Sequence, residues 1–61
     1  MTPSEFKQIQ KDLKMDNITM AINLGVNISS IGHWRAGRRN ISAKMENAIL
    51  LLVAFLESRR G

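Results

Sequence analysis

Apolar residues recur at helical spacing in four separate blocks. Phe6, Ile9 and Leu13 stand at i, i+3 and i+7, and Met20, Ala21 and Leu24 at i, i+1 and i+4. Ile31 and Trp34 lie three apart, and Met45, Ala48, Ile49, Leu52, Val53 and Leu56 form a longer stripe. Each block has a start signal. Thr2 caps the first, Pro3 occupies its first turn, and Glu5 completes a capping box. Asp16, Asn27 and Ser42 are N-caps for the others. Gly25 and Gly37 are stops, because glycine takes the left-handed conformation past a helix end at no steric cost. The pattern predicts an all-α, compact four-helix domain over residues 1–61. Val, Thr and Tyr are scarce, which argues against strands.

The chain is organised around the stretch from Asn17 to Gly37. Two short helices are expected there, joined by a tight turn in which Val26 plugs the corner, with Ala21 small enough for close approach. Ile31 and Trp34 face inward, while Ile28, Ser29, Gly32 and His33 are left outward. Ile18 and Ile22, partly off the buried face, are expected to cover the edge of the core. This is the logic of a helix-turn-helix.

The stretch resembles the phage-repressor and Cro-like (XRE-type) family, whose pattern runs roughly L-S-Q-x-x-L-A-x-x-L-G-V-S-x-x-T-I-S-x-W-E-x-G. Met15, Asp16, Asn17, Met20, Ala21, Leu24, Gly25, Val26, Asn27, Ser30, Ile31, Gly32, Trp34 and Gly37 stand at its positions, some identical and some chemical substitutes. The resemblance implies a lambda-repressor-like fold and sequence-specific binding of double-stranded DNA. It also implies Asn17 where the family commonly places a Gln that grips a phosphate. The family often pairs an Arg at the position of Gln10 with a Glu at the position of Arg35. Both differ here, so that ion pair is expected to be absent, leaving Asp12, Asp16 or a phosphate as partners for Arg35. The competing reading is a small helical bundle with no nucleic-acid role.

The outward residues suggest particular chemistry. Ile28 suits a thymine methyl, and Ser29 can donate or accept at a base edge. Gly32 inside a helix costs about 1 kcal/mol relative to Ala, so its expected use is a closer approach to the major groove. His33 is either a base or phosphate contact or merely an exposed helix residue. Trp34 belongs to the core rather than to a stacking platform. Arg38 and Arg39 suit the phosphate backbone, since guanidinium groups bind phosphate bidentately. Asn17, Asn27, Arg35 and Asn40 complete the expected phosphate set. Lys7, Lys11 and Lys14 lie off the first buried stripe, for solubility or, near the helix end, for one further phosphate.

Charge sharpens this picture. The net charge is +4, and from Asn17 to Met45 there is no acid, only Arg35, Arg38, Arg39 and Lys44. A localised excess beside a recognition-helix pattern favours a polyanion. Chemistry of other kinds is not offered. There is no Cys, His33 is the only His, and neither paired carboxylates nor a phosphate-cradling loop is present. No catalytic residue, metal, cofactor or small-molecule ligand is expected. The apolar run from Ala48 to Leu56 is far short of the roughly 20 residues that span a bilayer, and its position excludes a signal peptide, so a soluble cytoplasmic protein without membrane contact is expected.

A 61-residue chain buries only about 60 per cent of its unfolded surface and is marginal alone. The fourth helix is apolar nearly all round, because Leu50, Leu51, Ala54 and Phe55 flank its core stripe. Self-association through these residues is the economical explanation. In the alternative, Leu51 and Phe55 cover the first helix in a wide core. The expected assembly is a homodimer on an inverted-repeat operator, its recognition helices about 34 Å apart, blocking polymerase as a phage or mobile-element repressor. Read as the whole protein, the chain has no room for a sensing or catalytic domain. The rival class is a protein-interaction module, an antitoxin or inhibitor docking through the fourth helix. Residues 57–61 read as a frayed polar tail.

Overall fold

The computed structural model describes residues 1–59. It contains four helices: α1 (Pro3–Asp12), α2 (Asn17–Leu24), α3 (Ile28–Ala36) and α4 (Ala43–Ser58), with no strand among the described residues. Each start is capped as its sequence dictates. Thr2 Oγ1 accepts from the Glu5 N–H at 3.1 Å, and Glu5 Oε1 accepts from the Thr2 N–H at 2.9 Å. Asp16 accepts from the Thr19 N–H at 2.7 Å, and Ser42 from the Met45 N–H at 3.1 Å. These backbone donors hold the Glu5 and Asp16 carboxyls below their ordinary pKa.

Gly25 (φ 69°) and Gly37 (φ 76°) are left-handed. The Val26 N–H donates to the Ala21 carbonyl and the Arg38 N–H to the His33 carbonyl, both at 3.0 Å, closing the two helix ends. The end of α1 is made the same way without a glycine. Lys14 is left-handed (φ 56°), and the Met15 N–H donates to the Gln10 carbonyl at 3.2 Å. A side chain in this conformation costs roughly 1–2 kcal/mol, and nothing in the pattern announced it.

The core is Phe6, Met20, Ala21, Ile31, Trp34 and Ile49. Phe6 and Trp34 meet edge to face, centroids 5.8 Å apart at 82°, a favoured aromatic geometry. This contact ties α3 to α1, while the Gly25-Val26-Asn27 turn ties it to α2, so α3 is held from two sides. Met1 also packs on the core, and its ammonium pairs with Glu46 at the start of α4.

Two expectations and one alternative are corrected. Ile18 and Ile22 are 58% and 74% exposed and do not pack against the core. Each lies two residues from buried Met20, which at 3.6 residues per turn is about 200° round the helix. Leu51 and Phe55 do not cover α1; they stay 70% and 56% exposed, because α4 packs mainly on α2 and buries fully only Ile49. Glu57 and Ser58 are not a frayed tail but the last turn of α4, with Arg59 as its cap; Arg60 and Gly61 lie outside the described residues. No described helix is long and apolar enough to cross a membrane.

Candidate nucleic-acid interface

With Ile31 and Trp34 buried, the opposite face of α3 is free. Ile28 is 46% exposed, Ser29 is exposed, and Gly32 and His33 are half-buried. The four expected base-contact residues thus share one surface. A Cβ added at Gly32 would meet nothing within 4 Å, so no packing inside the fold requires a glycine there.

Hydrogen bonds give this surface a polarity. Asn27 Oδ1 accepts from both the backbone N–H and the hydroxyl of Ser29, each at 2.9 Å. The Ser29 proton is therefore engaged, and its oxygen is left to accept. The Asn27 amide nitrogen is left to donate. Arg38 Nε donates to His33 Nδ1 at 3.2 Å. A guanidinium has no acceptor, so Nδ1 is the accepting nitrogen of this bond and Nε2 is the one left to donate. Along α3, Ser29 offers an acceptor and His33 a donor one turn later.

Of the expected phosphate set, Arg38, Arg39 and Asn40 are exposed in the loop after Gly37, Asn27 is the exposed cap of α3, and Asn17 opens α2 half-buried. Arg38 spends only Nε on His33, leaving the rest of its guanidinium for an anion.

Arg35 departs from expectation. Its partner is neither Asp12 nor Asp16 but Gln10, which accepts from Arg35 Nη1 at 2.5 Å. The two positions do meet, through a neutral amide and a cation rather than an ion pair. Gln10 is 2% exposed and was not among the expected site residues; the resemblance marked its position as facing that of Arg35, but with the family's ion pair replaced it did not show that a neutral amide would take the contact. Gln10 Nε2 donates onward to Asn17 Oδ1 at 2.8 Å. An open groove lies beside these three residues, with Lys7, Lys11 and the capping carboxylate of Asp16 on its walls.

The residues expected to pair two copies share the exposed side of α4. Leu50 is 48% exposed, Leu51 and Phe55 more so, and Ala54 is exposed. The Arg59 guanidinium lies 5.5 Å from the Phe55 ring centroid, a cation–π distance. Among the described residues no three His, Cys, Asp or Glu side chains gather as metal ligands. No family model matches the chain, and neither a curated protein nor a solved structure does.

Proposed function

We propose that the protein is a sequence-specific double-stranded DNA-binding regulator, acting as a dimeric repressor on an inverted-repeat operator. The observation that carries this reading is α3 itself. It is anchored from within by Ile31 and Trp34, while Ile28, Ser29, Gly32 and His33 form an outward surface, exposed or half-buried and outside the core. A helix presented in this way fits the major groove. Asn17 at the start of α2 and Arg38 and Arg39 in the loop after α3 carry donors suited to phosphate, and the surrounding sequence carries no acid from Asn17 to Met45. Phosphate contacts fix register, and the α3 side chains read bases.

Gel-shift titration against random and selected duplexes tests the reading. Salt-dependent binding with a preference for selected sequences is expected, and absence of binding at low salt overturns it. The exposed Leu51 and Phe55 favour a second reading, in which α4 docks on a different protein. That reading predicts no DNA binding and a one-to-one heteromeric complex.

A further inference from the structure

Arg35, Gln10 and Asn17 form a chain of hydrogen bonds with only one consistent direction. Arg35 can only donate. Gln10 must therefore turn its oxygen to Arg35, at 2.5 Å, and its nitrogen to Asn17. Asn17 must turn its oxygen to Gln10, at 2.8 Å, and its nitrogen away. Side-chain amides are otherwise ambiguous in orientation; here a cation 25 residues from Gln10 removes the ambiguity. Gln10 is 2% exposed, so the middle of the link is buried, while Asn17 and Arg35 at its ends are half-buried. Asn17 is half-buried at the first position of α2, beside the groove walled by Lys7 and Lys11. Among the described residues no acceptor takes the hydrogens of Asn17 Nδ2.

We propose that Gln10 is a positioning residue through which Arg35 fixes the Asn17 amide, so that this corner offers a hydrogen-bond donor to a phosphodiester oxygen of DNA. The proposal rests on the DNA-binding reading above. Gln10 itself touches no DNA. It sets which end of Asn17 does. Lys7 and Lys11 supply positive charge around the same groove.

Gln10→Glu separates this role from a merely structural one. A carboxylate still accepts from Arg35, now as an ion pair, so the fold is kept. It also accepts at the Asn17 side, and so turns the amide over. Nδ2 then points inward and Oδ1 faces the phosphate, oxygen against oxygen. The added negative charge is controlled by repeating the change in Asn17→Ala, where no amide can turn.

With a pool of random-sequence duplexes of about 30 base pairs at low salt, Gln10→Glu should weaken binding at least about tenfold in the parent and about threefold or less in Asn17→Ala. The denaturant midpoint should be unchanged or higher. In the free protein, NMR of the Asn17 side-chain amide should show solvent-exposed Nδ2 protons in the parent. Gln10→Glu should show one bonded, slowly exchanging proton.

Equal losses in the two backgrounds, or an Asn17 amide that does not respond to Gln10→Glu, overturn the proposal. A parent that binds no duplex, while its Asn17 amide behaves as described, overturns the DNA reading and the positioning role with it.

Discussion

Arg38 donates from Nε to Nδ1 of His33 across 3.2 Å, five residues back along the chain. The loop that would meet phosphate and the helix that would meet bases are thereby coupled. His33 is left with an Nε2 donor, which suits base acceptors such as guanine N7 and O6 and not the N4 amino group of cytosine. Selected duplexes should carry an acceptor at one fixed position. His33→Asn keeps an acceptor near Nδ1 but removes the outward donor, and should lower discrimination there by about 1–3 kcal/mol. His33→Gln, which retains a reaching donor, should lose less. Selection from a random duplex pool with each variant decides this. An identical selected site for parent and His33→Asn removes His33 from base readout.

Arg38 and Arg39 should separate under the same measurement. Changing both to Ala removes about four phosphate contacts from a dimer and should lower the log–log salt slope by roughly 3 to 4. Arg39→Ala alone should lower it by about 2 and weaken all sequences alike. Arg38→Ala should in addition blur the position read by His33, because Nδ1 loses its partner. An unchanged slope in the double variant places neither residue at the interface.

Gly32→Ala should stabilise the fold. A Cβ there meets nothing within 4 Å, and Ala in a helix interior is favoured over Gly by about 1 kcal/mol. In a domain this small that is a rise in Tm of roughly 4–8 °C. If the glycine serves a close approach to the groove, the same variant binds its selected duplex more weakly. Thermal melting and gel shift on one sample read both effects. A stabilised variant with unchanged affinity leaves Gly32 without a role in DNA contact.

Leu51→Glu combined with Phe55→Lys should give a folded, monomeric protein with weak half-site binding. Both side chains are more than half exposed and lie four apart on one side of α4, where a two-fold axis would bring them against their own copies. Sedimentation of the parent at micromolar concentration is the first check. A parent that is monomeric both free and on DNA shows that this face does not self-associate.

Acid should loosen the helix starts in a defined window. The Thr19 N–H bond holds the Asp16 carboxyl below its ordinary pKa, and the Thr2 N–H does the same for Glu5. A carboxyl depressed by folding contributes stability above its unfolded pKa and loses it as pH falls through the folded value. Stability should therefore be level above about pH 5 and decline below about pH 4. Asp16→Asn keeps a good N-cap but cannot titrate, so its decline should be shallower. Chemical denaturation across pH 2.5 to 6, with these limits chosen to span roughly the carboxylate range, measures it. Parallel pH profiles for parent and variant remove Asp16 from the acid response.

The sequence by itself determined the local architecture. The caps at Thr2, Asp16, Asn27 and Ser42, the stops at Gly25 and Gly37, and the buried Phe6, Met20, Ala21, Ile31, Trp34 and Ile49 were all legible. These features depend on helical periodicity and on bonds spanning a few residues, which spacing encodes directly. Tertiary structure decided what spacing does not encode. The angle at which α3 crosses α1 brings Arg35 onto Gln10 and sends that amide on to Asn17. The way α4 leans on α2 excludes the wide core in which Leu51 and Phe55 would cover α1, an alternative the pattern left open. The left-handed Lys14 depends on where the chain must travel after α1. The partner of a polar side chain is chosen by whichever surface is packed against it, and that is settled only when the helices have docked.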